Sequence, residues 1–212
     1  MADNYLGKKM EEYMARRDAG TAPRRGHSLA HLLTRNRSHR AYDPTFIVRE
    51  DQLRRIIEVN TRTPSARNQQ VLRFRAVLSD EAAKVLPHVR MGGALPELHL
   101  PTAGTEPNAY IVICATEPET REVSIDLGIS VQSMLLQTTE IGLNGLCIAA
   151  FNREAVKEAL KLPYDPLLIV AIGRGADRIE LTQIASADDH RYYRREGTHY
   201  VPKVALDELI IK

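Results

Sequence analysis

Two arginines and a serine near residue 40 have the types and spacing of an anion-binding segment. The run N-R-S-H-R-A-Y, residues 36–42, places Arg37 and Arg40 three positions apart with Ser38 between them. Guanidinium groups bind oxyanions through paired N–H donors, so this set suits a phosphate that carries close to two negative charges. The same residues fit a solvated basic end of a helix, where positive charge interacts favourably with the helix dipole. From spacing alone, the solvated helix end is the simpler interpretation.

A second polar group lies in the run P-S-A-R-N-Q-Q, residues 64–70. Pro64 and Ser65 begin a short helix or turn, and Asn68 and Gln70 follow with amide side chains. Amides offer a donor and an acceptor together, which is what a heterocycle with alternating C=O and N–H groups demands. The alternative is an Asx or Ser cap that closes a turn between a helix and a strand. Taken by itself, the run favours the cap.

A third group is the run R-Y-Y-R-R, residues 191–195, which contains Arg194. Basic residues interleaved with tyrosines can stack single-stranded nucleic acid, but the run is short and the formal net charge of the chain is only +2. An exposed loop is the alternative. The fragment G-R-G at 173–175 lacks the rest of a dinucleotide-binding loop, and the sequence has no Walker, nucleophile-elbow or zinc-protease motif. The scattered histidines give no support to a metal site.

The elements that must position these groups alternate between helices and strands. Apolar periodicity and apolar runs predict helices at about 27–34, 50–61 and 121–141, and strands at 71–78, 109–116 and 167–173. Further predictions are a helix capped by Ser79, a strand or turn at 146–151, a helix from Asn152 that stops before Pro163, and a long loop at 91–108. The helix at 121–141 is apolar nearly all round, so it is expected to be buried on most faces and to end at Gly142. This mixture predicts an α+β fold whose sheet is covered on both faces.

Composition restricts the class of protein. The chain has 212 residues, of which 43% are hydrophobic and 26% charged, as expected for one globular domain. The nearly balanced charge excludes a strongly basic nucleic-acid binder, and no apolar run is long enough to span a bilayer. Cys114 and Cys147 lack the spacing of a zinc site, so a reducing, cytoplasmic compartment is expected. We expect residues 1–27 to form a helical arm and linker, and residues 28–212 to form the domain.

In order and spacing, the motifs resemble those of the FMN-dependent nitroreductase family. The resemblance includes N-R-S-x-R-x-Y, P-S-x-x-N-x-Q, a D-x-G-x-x-x-Q motif at Asp126, Gly128 and Gln132, and the late strand L-L-I-V-A-I-G. It also includes G-L-x-x-L-C-I-A-A-F at 142–151 and the tail with Y-Y-R ahead of H-Y-V-P-K. Each motif is weak alone, but together they cover the chain from about residue 31 to its end.

The resemblance implies a nitroreductase-like fold, with a central mixed, mainly antiparallel sheet flanked by helices and an intertwined homodimer that holds FMN at its interface. By position, Arg37, Ser38 and Arg40 are expected to hold the phosphate and ribityl chain, with a further phosphate contact from Arg194. The residues expected at the flavin ring are Pro64, Ser65, Asn68 and Gln70, the first three reaching it from the neighbouring subunit, and Cys147, Ile148, Ala149 and Ala150 near N5. Ala149 and Ala150 depart from family members that carry Gly-Gly, or an acidic residue and Gly, at these positions.

The resemblance implies that the protein is an NAD(P)H-dependent flavoprotein oxidoreductase. Hydride is expected to pass from NAD(P)H through flavin N5 to nitroaromatic, quinone or similar acceptors, and no catalytic side chain is predicted because the cofactor carries the chemistry. Two alternatives stay open. One is an enzyme of the same fold with another reaction, such as flavin reduction or dehalogenation. The other is a non-catalytic flavin-binding protein. The sequence indicates neither nucleic-acid nor membrane partners.

Overall fold

Seven strands form two sheets in the described part of the chain. The computed structural model describes residues 8–9, 26–93 and 100–211. The strands are β1 (Leu72–Val77), β2 (Ala109–Ala115), β3 (Asn144–Ile148), β4 (Asp165–Gly173), β5 (Arg178–Ile184), β6 (Tyr193–Arg195) and β7 (Thr198–Val204). One sheet has the order β1-β2-β4-β3 and is antiparallel throughout, and the other has the order β5-β7-β6. Strands β5 and β7 are parallel, so the pairing is mixed and mainly antiparallel, as predicted.

The inner strands are buried because helices cover both faces of the first sheet. The helices are α1 (Leu29–Arg35), α2 (Glu50–Glu58), α3 (Arg121–Glu140), α4 (Arg153–Ala159) and α5 (Leu206–Leu209). Every residue of β2 is buried, and so is β4 from Pro166 to its end. Ile111 and Ile113 face a core formed with α2 and α3, whereas Val112 faces a second core formed with α4. The structure confirms an α+β fold with both faces of the sheet covered.

The ends of the helices follow from local sequence. Helix α3 begins after Thr120, whose hydroxyl accepts a hydrogen bond from the Val123 N–H. It ends before Gly142, whose φ of 79° lies in the left-handed region that glycine adopts without strain. Helix α4 begins after Asn152, whose side chain accepts from the Ala155 N–H. The predicted bounds of α3 and the predicted start of α4 are confirmed.

The helix predicted after Ser79 is wrong. This segment contains two short 3-10 turns, Ala82–Lys84 and Leu86–His88. Pro87 has no N–H to donate to the preceding turn, so an α-helix cannot continue through it. The helix predicted at 50–61 is likewise shorter, because α2 gives way to a 3-10 turn at Val59–Thr61.

Helix α3 is not buried on most faces. Ile125 and Ile129 are 51% and 38% exposed, respectively. A Cβ added at Gly128, on the same side of the helix, would meet nothing within 4 Å. Helix α3 therefore has an apolar face that is exposed. Because the helix is apolar nearly all round, the sequence pattern did not distinguish this face from the one that packs on the sheet.

The tail contains strands that the sequence did not predict. Strands β5 and β7 pair along their whole length, and β6 places Arg194 opposite His199. The alternative of an exposed loop at 191–195 is therefore wrong in its secondary structure for the residues of β6, although these residues are exposed. The run R-I-E-L-T at 178–182 alternates polar and apolar residues with period two, which is the pattern of a half-buried strand.

Parts of two predicted segments fall outside the described residues. Of the arm and linker at 1–27, only residues 8–9, which are helical, and 26–27 are described. In the loop at 91–108, residues 91–93 and 100–108 contain no helix or strand. Both cysteines are free thiols. Within the described ranges, no helix combines the length and the apolar character needed to cross a bilayer.

Candidate functional site

Arg37 and Ser38 lie beside the edge strand β3. Ser38 forms a parallel bridge with Gly145, near the start of that strand. The Arg37 Nη2 donates to the Leu33 carbonyl at 2.7 Å, whereas its Nε is buried and has no partner among the described residues. Burial also lowers the pKa of the Arg37 guanidinium. One donor of Arg37 therefore lacks an acceptor.

Asp177 joins the Arg40 segment to the tail. Its Oδ2 accepts hydrogen bonds from the backbone N–H groups of Arg40, at 2.6 Å, and Ala41, at 2.9 Å. Its Oδ1 accepts from Arg194 Nη2 at 2.7 Å. The Asp177 side chain is 5% exposed and that of Arg194 is 31% exposed. The fold thus brings together Arg40 and Arg194, two arginines separated by most of the chain.

Arg40 connects this cluster to the loop at 91–108. The residue is 9% exposed, and its Nε donates to the Met91 carbonyl at 2.7 Å. Its guanidinium carbon lies 5.0 Å from the centre of the Tyr192 ring, and the Tyr192 hydroxyl donates to the Gly92 carbonyl at 3.3 Å. The start of the loop is therefore fastened to the cluster by two side chains.

Two buried histidines complete the cluster. His39 and His199 are 7% and 4% exposed, and the Nδ1 atom of each has no partner among the described residues. Burial lowers the pKa of both imidazoles, and the nearby Asp177 opposes this shift. A Cβ added at Gly175 would lie 2.2 Å from His39 Nδ1, so glycine is required where the turn after β4 passes the ring.

Sequence reasoning missed four members of this cluster: His39, Asp177, Tyr192 and His199. Asp177 is separated from Arg40 by 137 positions, so no local spacing links them. The local sequence signal for this cluster was weak. The fragment G-R-G-A-D follows a buried strand, and its second glycine leaves room for His39.

The polar loop at 64–70 is held by a buried carboxylate of α3. Asp126 Oδ1 accepts from the Ala66 N–H at 2.8 Å, and Oδ2 accepts from Gln69 Nε2 at 2.7 Å. Asp126 is 3% exposed. Within the loop, Arg67, Asn68 and Gln70 have φ angles of 51°, 56° and 47°. Such conformations cost free energy in residues other than glycine, so the contacts of Asp126 must maintain them.

Side chains of this loop face a cavity of about 880 Å³ beside β1. Pro64, Ser65 and Gln70 line it, together with residues of α2, α3 and β1. The Asn68 Oδ1 accepts from Gln70 Nε2 at 3.0 Å, and the Ser65 hydroxyl accepts from the Gln70 N–H at 3.3 Å. The amides and the hydroxyl of the loop thus hydrogen-bond within the loop, and the contact of Ser65 with the Gln70 N–H is the kind that a cap closing the turn makes.

The residues assigned near flavin N5 lie at the end of β3. Cys147, Ala149 and Ala150 are exposed, whereas Ile148 is 2% exposed and packs in the second core. The Ile148 side chain is therefore unavailable to a ligand, and only its backbone can contribute. Ala149 and Ala150 lie beyond the last β3 residue that pairs with β4, and the Ala150 carbonyl accepts from the Arg90 N–H at 2.9 Å.

The two groups of predicted residues do not meet within one chain. The loop at 64–70 precedes β1, whereas Ser38 and the residues at 147–150 lie along β3 at the opposite edge of the sheet. Through the register, Leu72 is aligned with Asp165 of β4, and Gly145 with Ile172. Three strand spacings across the sheet and seven residues along it separate Leu72 from Gly145 by about 25 Å. A mononucleotide-sized ligand held beside Ser38 would therefore lie far from the loop at 64–70 of the same chain.

Comparisons with known proteins identify the fold. The family model described as "Nitroreductase family" matches residues 33–174. A nitroreductase family protein from Streptococcus pneumoniae TIGR4 is similar in structure, with 16% sequence identity, a TM-score of 0.63, and coverage of 87% of this chain and 100% of that one. A nitroreductase family protein from Clostridium novyi NT has 23% identity and a TM-score of 0.58, with 71% of this chain and 87% of that one covered.

A similar structure was solved with a ligand. A protein from Desulfovibrio desulfuricans assigned to the nitroreductases was crystallised in complex with FMN. It has 20% identity and a TM-score of 0.58, with 72% of this chain and 88% of that one covered. No curated protein matches the chain. At these identities, the similar structures establish the fold.

Replacement of Asp126 by alanine tests how the loop at 64–70 is held. The variant loses two hydrogen bonds to a charged acceptor, so we expect the free energy of unfolding to fall by about 2–4 kcal/mol. Amide hydrogen exchange should rise in residues 66–70, as measured by mass spectrometry. Gln132→Ala, at an exposed position of the same helix, should change neither quantity appreciably. Equal exchange in the two variants would show that the loop holds its shape without Asp126.

The lowered pKa of His39 predicts a dependence of stability on pH. The usual histidine pKa is 6.5. Below that pH the unfolded chain binds a proton that the folded chain resists, so this contribution to stability is lost as the pH falls. The urea unfolding free energy of His39→Asn should therefore vary less between pH 7.5 and pH 5.5 than that of the wild type. His190→Asn, at an exposed position, should keep the wild-type slope, and an unchanged slope in His39→Asn would refute the assignment.

Proposed function

The chain belongs to the nitroreductase family, and on this premise we propose that it is an FMN-dependent oxidoreductase. It would pass hydride from NAD(P)H through flavin N5 to nitroaromatic, quinone or similar acceptors. The observation that carries the proposal is the buried cluster around Asp177. There, Arg40 and Arg194 lie together with unpartnered nitrogen atoms on neighbouring side chains.

The chemistry of this cluster fits the phosphate of FMN. Among the described residues, the buried Nε of Arg37 has no acceptor, and the buried Nδ1 atoms of His39 and His199 have no hydrogen-bond partner. Buried polar groups in native proteins are nearly always hydrogen-bonded, and phosphate oxygens are strong acceptors. The arginines at 37, 40 and 194 exceed the single carboxylate of Asp177 in charge, so an anion would restore the balance.

The chain would contribute to the reaction through its backbone groups and its charged side chains. When bound, FMN supplies hydride transfer at N5, and the protein provides binding and orientation. The positive charge of Arg40 would stabilise negative charge at the N1–C2=O side of the flavin. Cys147, Ala149 and Ala150 would pass the ring with backbone groups at the free end of β3. No side chain is needed as a general base.

We further propose that the site is completed by a second copy of the chain. The separation across the sheet requires Pro64, Ser65 and Asn68 to come from a neighbouring subunit if they contact the same flavin as Arg40. An apolar surface is available for the contact. It consists of two exposed residues of α1, Leu29 and Leu33, and two of α3, Ile125 and Ile129. Exposed apolar residues on two helices that contact each other are candidates for an association surface.

Two experiments test the function. The absorbance spectrum of the purified protein, or a titration with FMN, should show bound flavin. Steady-state oxidation of NADH or NADPH in the presence of a nitroaromatic or a quinone should then show turnover. Flavin binding without turnover would favour the non-catalytic alternative, for which the departure at Ala149 and Ala150 is the relevant observation. A protein that ignores micromolar FMN would contradict the proposal.

Arg37→Ala should distinguish the contribution of the FMN phosphate to binding from that of the flavin ring. A charge-assisted hydrogen bond contributes about 1.5–3 kcal/mol, so FMN affinity should fall roughly tenfold to a hundredfold. Riboflavin affinity should barely change, because riboflavin has no phosphate. Flavin fluorescence quenching measures both affinities. Arg191→Ala removes an exposed arginine that pairs with Asp189 and should leave FMN binding intact. Wild-type FMN affinity in Arg37→Ala would support the solvated helix end instead.

Ile125→Glu should disrupt the dimer. The substitution places a charge at an exposed apolar position of α3, where burial against a second copy would require its desolvation. Light scattering at low micromolar concentration should report a dimer for the wild type and a monomer for the variant, and FMN binding should weaken in parallel. Glu122→Gln, on an exposed position of the same helix, serves as the control. A monomeric wild type that binds FMN would exclude a site shared between subunits.

A further inference from the structure

Asp177 is a buried charge with an unusually complete set of partners. Its side chain is 5% exposed. One carboxylate oxygen accepts from two backbone N–H groups, those of Arg40 and Ala41, and the other accepts from the guanidinium of Arg194. His39 Nδ1 lies 4.0 Å from Oδ2. Burial of a carboxylate is tolerated when donors of this kind surround it.

These contacts join three separate parts of the chain. Asp177 stands at the end of the connection from β4 to β5, Arg40 belongs to the segment that follows α1, and Arg194 lies on β6. None of the three is adjacent to another in sequence. Without the carboxylate, the Arg194 guanidinium would lose the hydrogen bond that fixes it beside the Arg40 segment.

Both arginines keep donors for an additional anion. A guanidinium has five N–H donors. Among the contacts described, Arg194 donates to Asp177 through Nη2 alone. Arg40 donates through Nε to Met91 at 2.7 Å, whereas its Nη1 and Nη2 make long contacts of 3.4 Å to Ser38 and Tyr192. Arg194 therefore keeps most of its N–H donors for an oxyanion, whereas Arg40 keeps only those on its two Nη atoms that these contacts leave unused.

We propose that Asp177 is a positioning residue that fixes Arg194 and the backbone at Arg40 for the cofactor phosphate. The inference rests on the proposed function, because it takes the phosphate of FMN as the ligand of the cluster. Asp177 itself does not touch the phosphate. Its oxygen atoms are occupied by N–H donors, so it directs the arginines without presenting a bare negative charge to the ligand.

A simpler role makes the opposite prediction. If Asp177 only neutralised the arginines, its removal would leave more positive charge and would strengthen phosphate binding. The two roles are separated by Asp177→Asn. The asparagine Oδ1 can still accept from the Arg40 and Ala41 N–H groups, but its NH₂ group would face Arg194 Nη2, and two donors cannot pair.

The experiment is a double-mutant cycle read by titration with FMN and with riboflavin. Asp177→Asn should lower FMN affinity about tenfold and riboflavin affinity less than about twofold, because loss of one charge-assisted contact corresponds to a change of this order. If Asp177 acts through Arg194, Asp177→Asn should have almost no further effect in an Arg194→Ala background. Unchanged or tighter FMN binding in Asp177→Asn, or full additivity in the cycle, would overturn the proposal.

A matched control and a second variant complete the design. Asp189→Asn removes another aspartate of the tail that pairs with an arginine, but this pair is exposed, so both flavins should bind as in the wild type. If Asp177→Asn does not fold, Asp177→Glu keeps the charge and displaces it by one methylene. It should lower FMN affinity at least about threefold, and this loss should be smaller in the Arg194→Ala background, where only the part that acts through the Arg40 backbone remains.

The outcomes distinguish this inference from the function on which it rests. A wild-type protein that binds neither flavin contradicts the proposed function. A wild-type protein that prefers FMN over riboflavin, together with an Asp177→Asn variant that keeps the same preference, contradicts the positioning role alone.

Discussion

The buried pair of strands β2 and β4 is the constraint on which the site depends. Both strands are covered on two faces, so their side chains fix the register and their hydrogen bonds fix the width of the sheet. The residues proposed to bind the ligand are attached at the periphery of this pair. The loop at 64–70 leads into β1 on one edge, and Ser38 lies against β3 on the other. Because the core cannot be compressed, the two halves of the site stay apart within one chain.

Two buried carboxylates hold the peripheral segments in place. Asp126 fixes a loop with three left-handed residues, and Asp177 fixes the backbone at Arg40 together with Arg194. Removal of the partners of a buried carboxylate is strongly destabilising. Each of the two carboxylates therefore holds its N–H donors at hydrogen-bond distance and in a defined geometry. The ring side and the phosphate side of the proposed site are therefore held in the same way, by a buried carboxylate that accepts hydrogen bonds from N–H groups of a segment distant in sequence.

The sequence predicted what local patterns encode. The apolar runs predicted β2 and β4, and apolar periodicity together with Gly142 predicted α3. An anion site at Arg37 and Arg40 follows from the resemblance of the ordered motifs to the family, and it stays a prediction. The failures have physical reasons. Pro87 interrupts a segment with helical composition, Ile125 and Ile129 are apolar but face outward, and Arg194 occupies a strand. Local patterns did not indicate Asp177, His39 and His199, because the contacts of these residues join segments far apart in sequence. The expected location of the chain in the cell stays a prediction.

The most direct measurement of a shared site is complementation between two defective variants. Arg40→Ala weakens the phosphate side, and Ser65→Phe fills the ring side, so neither homodimer should bind FMN at a concentration that saturates the wild type. After the two variants are mixed and their subunits exchanged, half of the dimers should be mixed, each with one intact site. The account predicts recovery of about one quarter of the wild-type FMN capacity, because a two-fold dimer has two equivalent sites. Binding that stays at the level of the separate variants, although light scattering and mass spectrometry show mixed dimers, would contradict it.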